Sequence, residues 1–310
     1  MAKGIFLKAN TAADIDARIG LVLERLGNPE PPLDLKLVRS SLKLDFGYYS
    51  ATDEGLLQET VAKLRVAGKQ VLLNPMLLVR AVRKLDLRAL YLPDQHRILL
   101  DKDQPKLKHR WNEAHEVGHS LLPWHKGAML GDDDHCLIPA CHAALESEAN
   151  FAAAKLLFLR DQFRFDARSL EPSFRNLELL ANRYGNTKTS TFWRCVEHWG
   201  EEMPMVGLIT GHPHPSMRKM DFDPEQPCKH FIQSSVFAAM FSKISESEVF
   251  DQIVEYCGRQ RGGSLGAAEI LLTDDNGNSH SFEFESFCYH HQTLTLGIYR
   301  GQAGSILQVA

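Results

Sequence analysis

Residues 111–122 read Trp-Asn-Glu-Ala-His-Glu-Val-Gly-His-Ser-Leu-Leu, and they place His115, Glu116 and His119 in the pattern His-Glu-x-x-His. On an α-helix, positions i and i+4 lie on one face, so both imidazoles can bind the same metal ion. Glu116 lies about 100° around the helix from His115, close enough to reach a water on that metal. The pattern predicts a zinc-binding helix in which Glu116 is the general base.

The residues around this pattern favour a helix. Pro105 suits a first helical turn, nothing breaks the run 107–122, and Pro123 is predicted to end it. Apolar residues occur on more than one side of the predicted helix, which is typical of a helix buried at an active site. The alternative interpretation is a buried helix whose two histidines are merely hydrogen-bonded.

The composition is that of an ordinary globular protein. The chain has 310 residues, of which 44% are apolar and 24% charged, and a formal net charge of -4 from 39 acidic and 35 basic residues. This balance gives no overall signal for binding to nucleic acid or membrane. Residues 1–8 are too short for a signal peptide core, and no run approaches the ~18 apolar residues of a membrane span. Six dispersed cysteines do not make a disulfide scaffold, so a cytoplasmic location is expected.

Periodicity and turn signals predict an α+β fold with several segments. Residues 1–170 are expected to form a mostly helical domain with a small sheet, followed by a helix-turn-helix-like segment at 171–204. Residues 205–229 are predicted to be a linker, and residues 230–310 a small α+β C-terminal domain.

The individual elements follow from the same patterns. Helices are predicted at 11–26, 33–41, 55–67, 75–85, 143–159 and 234–256. Strands are predicted at 44–49, 268–272, 281–287 and 294–299, and a hairpin at 88–92 and 96–101. A loop is predicted at 126–141, and two helices joined at Gly185 are predicted at 176–199.

One candidate for a third metal ligand is His125. It follows His119 by six residues, which is the spacing of the pattern His-Glu-x-x-His-x-x-Gly-x-x-His. That pattern needs a glycine where the chain turns sharply, and here the position holds Leu122, which resists positive φ. His125 is then expected to lie near the metal or to touch substrate.

The other candidate is an acidic residue on the helix predicted at 143–159. Glu146 and Asn150 are i and i+4 on a face that is otherwise small and apolar. A carboxylate buried there needs a partner, which a metal ion supplies, and Asn150 is placed to support a histidine ligand. Glu148 lies about 200° around from Glu146, so it is expected to be solvated or paired with a base.

Two motifs together resemble the ImmA/IrrE family of bacterial zinc metallopeptidases. They are His-Glu-Val-Gly-His at 115–119 and Glu-Ser-Glu-Ala-Asn-Phe-Ala-Ala-Ala-Lys-Leu-Leu at 146–157. The family pairs its His-Glu-x-x-His helix with a downstream helix of this kind. Further likeness lies in Pro-Leu-Asp-Leu-Lys-Leu at 32–37 and Arg-Ile-Leu-Leu at 97–100, and the resemblance spans about residues 11–199.

The resemblance implies a zincin-like metallopeptidase domain with one zinc ion. Its ligands would be His115, His119 and Glu146, and Glu116 would be the general base. Family members cut helix-turn-helix repressors and so release stress-response or mobile-element genes, which implies such a repressor as the protein substrate. Some longer members carry a C-terminal sensor-like domain, a part that 230–310 could play. One departure is Leu-Phe-Leu at 157–159, where the family often has Leu-Met-Pro.

A non-catalytic regulator is the alternative from another functional class. In that interpretation the helix-turn-helix-like segment binds DNA and zinc is structural. The basic residues of the segment are few, namely Arg183, Lys188 and Arg194, and Glu197 offsets one of them, so a packing role is favoured. Glu116 beside the two histidines also speaks against a purely structural site, which needs no base.

Overall fold

A computed structural model describes residues 7–49, 89–104, 106–130, 139–289 and 292–303. The fold is α+β, as predicted, and it divides into two compact units. The first unit comprises residues 1–163 and 183–186, and the second comprises 164–182 and 187–310. The division therefore falls at Phe163 rather than at 170, and most of the predicted segment 171–204 joins the second unit. The helices predicted at 55–67 and 75–85 lie outside the described residues.

The first unit combines helices with a three-stranded sheet. Its helices are α1 (Ala9–Arg25), α2 (Leu35–Leu42), α3 (Lys106–Leu121), α4 (Pro123–Leu130) and α5 (Pro139–Leu157). Its strands are β1 (Asp45–Tyr49), β2 (Ala89–Leu92) and β3 (Arg97–Asp101), in the order β1-β3-β2. β2 and β3 form the predicted antiparallel hairpin, whereas β1 runs parallel to β3. β2 is thus an edge strand among the described residues.

The contact between α3 and α5 forms the centre of the first unit. Ala149, Ala152 and Ala153 are fully buried, so the two helix backbones approach closely. A Cβ atom added at Gly118 of α3 would lie 2.9 Å from the backbone oxygen of Ala149. This small-residue contact brings the ligand-bearing faces of the two helices together.

Polar contacts fix α3 against the segment around α2. Arg39 Nε donates to Glu113 Oε1 at 2.6 Å, and both side chains are largely buried. Arg110 Nη1 donates to the backbone oxygen of Leu33 at 2.7 Å. Charge-assisted bonds of this kind are stronger than neutral ones, so they hold α3 in a defined position.

The loop predicted at 126–141 is wrong at both ends. α4 extends to Leu130, and α5 begins at Pro139, four residues before the predicted start. Pro123 does follow the end of α3, but it is also the first residue of α4. Proline is well suited to a first helical position, where its missing N–H has no intrahelical partner.

The second unit is built on a five-stranded sheet of order β5-β4-β8-β7-β6. The strands are β4 (Met205–Thr210), β5 (Cys228–Gln233), β6 (Gly263–Thr273), β7 (Ser279–Tyr289) and β8 (Gln292–Gln302), all paired antiparallel. The helices are α6 (Asp161–Arg168), α7 (Phe174–Tyr184), α8 (Lys188–Trp199), α9 (Ser235–Met240) and α10 (Glu246–Tyr256), with a few residues of α6 and α7 falling in the first unit.

The prediction of a linker at 205–229 is wrong for residues 205–210, which form β4. All six residues of β4 are buried, and the strand pairs with β5 on one side and β8 on the other. The strands predicted at 268–272, 281–287 and 294–299 are confirmed as parts of β6, β7 and β8.

The helix pair predicted at 176–199 is confirmed as α7 and α8. Thr187 caps α8 by accepting a hydrogen bond from the backbone N–H of Ser190. The apolar face of α8 is buried, and it contacts β4 and β5 of the sheet. No helix among the described residues is long and apolar enough to cross a membrane.

Candidate metal centre

Three side chains from α3 and α5 converge in the first unit. Nε2 of His115 lies 3.1 Å from Nε2 of His119. A carboxylate oxygen of Glu146 lies 3.2 Å from Nε2 of His115, and the other oxygen lies 3.6 Å from Nε2 of His119. Within the part of the chain that the structure describes, these three residues form a group able to hold a metal ion. The structure thus brings together the ligand set proposed from sequence.

The spacing of the three ligand atoms fits a tetrahedral zinc site. Zinc binds histidine nitrogen and carboxylate oxygen at about 2.0–2.2 Å, so tetrahedral ligand atoms lie roughly 3.3–3.5 Å apart. The observed separations of 3.1, 3.2 and 3.6 Å scatter around that value. A set of two imidazoles and one carboxylate leaves one tetrahedral position for water or substrate, as in catalytic zinc sites.

Electrostatics at this site favour a positive charge beside Glu146. Burial alone would raise the pKa of Glu146, but hydrogen bonds and charge from His115 and His119 outweigh it and hold the pKa well below its ordinary value. Burial would lower the pKa of His115, yet its bond with Glu146 and the charge of Glu116 raise it overall. An ionised carboxylate between two imidazoles is a suitable site for a divalent cation.

Glu116 is buried beside this group, with 5% of its surface exposed. Burial raises the pKa of Glu116, opposed by the charges of His115 and His119 and by a hydrogen bond from the backbone N–H of Tyr91. Tyr91 lies on the edge strand β2, so the strand contacts Glu116 directly. A raised carboxyl pKa is the tuning that general acid–base catalysis near neutral pH requires.

Asn150 supports His115 as the sequence predicts. Nδ1 of His115 donates to Oδ1 of Asn150 at 3.1 Å, because an amide oxygen can only accept. With a metal in place of the proton between Nε2 and Glu146, the neutral ring would keep its proton on Nδ1 and present the Nε2 lone pair to the metal.

His125 lies behind His119, away from the ligand atoms. Its Nδ1 is 2.8 Å from Nδ1 of His119, whereas the ligand atom of His119 is Nε2. The side chain of His125 is fully buried, and Nε2 bonds to Glu148 at 2.9 Å. Burial lowers the pKa of His125 to about 4, so it is neutral at physiological pH. His125 therefore contacts a candidate ligand and does not complete the ligand set.

Glu148 was expected to be solvated or paired with a base, and the structure shows the second, with His125 as its partner. Its side chain is 15% exposed, and one oxygen accepts hydrogen bonds from His125 and from Nε1 of Trp124. Sequence spacing along α5 placed Glu148 away from Glu146, but it carried no signal that His125 would reach it from α4. The bond from Tyr91 to Glu116 was missed for the same reason, since both depend on tertiary packing.

Comparisons with known proteins give a likeness of fold only. No protein-family model matches the chain, and no curated protein sequence matches it. A solved structure described as a Mycobacterium tuberculosis transcriptional regulator is similar, with a TM-score of 0.52 and 13% sequence identity. The match covers 93% of this chain and 76% of that chain. At this identity the likeness supports the α+β architecture and says nothing of activity.

Proposed function

We propose that this chain is a zinc-dependent endopeptidase of the ImmA/IrrE kind. The observation that carries the proposal is the convergence of Nε2 of His115, Nε2 of His119 and the carboxylate of Glu146, with Glu116 buried beside them. A structural zinc site has no use for a buried carboxylate beside its ligands, whereas hydrolysis needs a base.

Zinc held by His115, His119 and Glu146 would supply a Lewis acid and lower the pKa of a water molecule to about 7. Glu116 accepts the proton of the attacking water at its carboxylate and then donates it to the departing nitrogen. The backbone N–H of Tyr91 orients that carboxylate. Burial of Glu116 keeps its pKa high enough for it to hold the proton until the transfer to the nitrogen.

The edge strand β2 supports a peptide as the substrate. An extended peptide can add to a free strand edge through main-chain hydrogen bonds. Because Tyr91 of β2 touches Glu116, a peptide on this edge would pass next to the catalytic base. The family resemblance over about residues 11–199 suggests a helix-turn-helix repressor as that protein substrate.

The decisive experiment is co-expression of the wild type and a Glu116→Gln variant with the repressor encoded nearest to this gene. We expect the wild type to generate repressor fragments. The variant keeps all three ligands, so it is expected to bind zinc normally while cleavage falls by roughly 10²–10⁴-fold. Full activity in a zinc-loaded variant would exclude Glu116 as the base.

A DNA-binding regulator is the second candidate, because α7 and α8 form a helix-turn-helix-like pair. Arg194 is paired with Glu197 at 2.6 Å, and Lys188 is paired with Glu178 at 2.5 Å. Basic side chains that are already paired with carboxylates, on a helix packed against a sheet, make a poor surface for binding DNA. Salt-sensitive binding of the purified protein to promoter DNA, without proteolysis, would favour this candidate instead.

A further inference from the structure

We propose that Glu148 is a positioning residue for His119 and acts on it through the ring of His125. The inference rests on the proposed function, since it concerns the same zinc site. It assigns a role to a buried carboxylate and a buried imidazole that the catalytic scheme itself does not use.

The three side chains form a continuous row. Nδ1 of His119 lies 2.8 Å from Nδ1 of His125, and Nε2 of His125 lies 2.9 Å from Oε2 of Glu148. The ring centroids of the two histidines are 4.9 Å apart. Each nitrogen of His125 thus has one partner, and Nε2 of His119 is left for the metal site.

The positions of the protons follow from the carboxylate. Oε2 of Glu148 is an acceptor, since Nε1 of Trp124 can only donate to it, so Nε2 of His125 carries the proton that it donates to the same oxygen. In a neutral ring Nδ1 of His125 is then an acceptor. It can accept only if Nδ1 of His119 carries a proton, which leaves Nε2 of His119 with the lone pair that a metal requires.

The opposite arrangement is disfavoured at both ends of the row. If Nδ1 of His125 carried the proton, its Nε2 lone pair would face Oε2 of Glu148, and two acceptors would repel each other. His119 would then be an acceptor at Nδ1 and would carry its proton on Nε2, pointing into the metal site. Through two successive hydrogen bonds, Glu148 therefore favours the tautomer of His119 that leaves Nε2 free to bind a metal.

His125 connects Glu148 of α5 to His119 of α3. Asn150 reaches His115 directly, whereas Glu148 leaves α5 in a direction about 200° from Glu146 and bonds to His125. His125 of α4 spans the gap. Trp124 fixes the far end, because its Nε1 donates to the same oxygen of Glu148 at 2.6 Å. Since His125 is fully buried, water does not reach its ring nitrogens.

Zinc affinity of the full-length protein tests the proposal. We expect Glu148→Leu and His125→Phe to weaken zinc binding by roughly 10–100-fold, the usual effect of losing a partner of a ligand. Glu148→Gln keeps an acceptor oxygen, so it is expected to recover most of the loss. The affinity is measured by competition with a chromophoric chelator.

The matched control is Glu113→Leu. It also removes a largely buried, hydrogen-bonded carboxylate from a ligand-bearing helix, but the partner of Glu113 is Arg39. A merely structural role for Glu148 predicts that both leucine variants lose stability and keep zinc affinity. A folded Glu148→Leu protein with a zinc dissociation constant within threefold of wild type would overturn the proposal.

Tautomers in the metal-free Glu146→Ala variant give a second test, because no carboxylate of residue 146 then faces Nε2 of His119. Long-range ¹H–¹⁵N correlation spectra should show His119 protonated on Nδ1 and His125 on Nε2. Protonation of His119 on Nε2 in this variant would contradict the proposal even if Glu148→Leu and His125→Phe fail to fold. Neither measurement involves cleavage, so a zinc-binding protein that cuts no peptide would refute the proposed function and leave this inference standing.

Discussion

Glu146 and His125 compete, on sequence spacing alone, for the place of third metal ligand. The structure separates them by which nitrogen of His119 each one approaches. Glu146 lies on the Nε2 side with His115, and His125 lies on the Nδ1 side. The two residues therefore make different predictions for mutants.

Removing Glu146 should remove the metal. In Glu146→Ala two imidazoles remain, and we expect the zinc content after gel filtration to fall from about one ion per chain to near zero. His125→Ala should bind zinc more weakly yet retain it at saturating concentration. Atomic absorption measures both, and the reverse pattern would identify His125 as the ligand.

Spacing could predict which residues meet at the site because one helix dictates the positions of His115, Glu116 and His119. The pair Glu146 and Asn150 was predictable for the same reason, as i and i+4 on α5. Glu148 was not, because its partner His125 belongs to α4, of which residues 126–130 were predicted to be loop. The periodicity of a sequence predicts which residues share one face of a helix, but it does not predict which helix packs against that face.

At the scale of elements, the contact of α3 with α5 sets the distance between ligands. Gly118→Ala would place a Cβ atom 2.9 Å from the backbone oxygen of Ala149 and 3.2 Å from Cβ of Ala152. Backbone cannot move aside cheaply, so we expect a loss of about 1–3 kcal/mol in the free energy of unfolding, despite the higher helix propensity of alanine.

Denaturant unfolding of zinc-free protein measures that loss. Gly211→Ala is the control, because nothing lies within 4 Å of a Cβ atom added there. Its unfolding free energy is expected to stay within about 1 kcal/mol of wild type. Equal effects of the two substitutions would mean that helix packing does not limit position 118.

A second element-scale prediction concerns Glu201, just after α8. Nε of Arg164, in α6, donates to it at 2.8 Å, and His198 lies 2.8 Å from it. The bond from Arg164, with help from His198, lowers the pKa of Glu201 from 4.5 to about 2. A lowered folded-state pKa stabilises the protein above pH 4.5, and this contribution is lost as the pH falls towards 2.

Glu201→Gln should accordingly lower the melting temperature at pH 7, by an amount corresponding to roughly 1 kcal/mol or less for such an accessible cluster. The difference in melting temperature between Glu201→Gln and wild type should become smaller as the pH falls from 4.5 to 2. Glu255→Gln provides the control, because that side chain lies on α10, away from Arg164 and Arg168 in sequence, and is exposed. A gap that stays constant over this range of pH would show that the carboxylate charge is not responsible.

Strand β4 shows why part of the fold escaped prediction. Its sequence Met-Val-Gly-Leu-Ile-Thr is buried on both faces, so it lacks the alternation of polar and apolar residues that identifies a strand. The hairpin of β6 and β7 was easier, because Asp274 to Asn278 carry a strong turn signal and the strands alternate in burial.

For the whole molecule, the division into two units predicts a local response to metal. The candidate ligands all belong to the first unit. Chelation should therefore lower amide protection in α3 and α5 while the sheet of β4 to β8 stays unchanged. Zinc at 100 times its dissociation constant would stabilise the unit that holds it by about 2.7 kcal/mol.

Hydrogen exchange followed by mass spectrometry, with and without a chelator, measures this response peptide by peptide. The Glu146→Ala variant serves as the control, since it should already resemble the chelated protein. An equal loss of protection in both units would show that the chain unfolds as one cooperative body.

The place of β8 in the sheet has a consequence for how the chain is made. β4 pairs with β8, which leaves the ribosome about 80 residues after it, or roughly 4–16 s later at ordinary rates of synthesis. During that interval an apolar strand has one unpaired edge. A premature stop codon before Gln292 would make that exposure permanent on β4 and on β7 alike, so truncated products should aggregate rather than persist as a shorter folded protein.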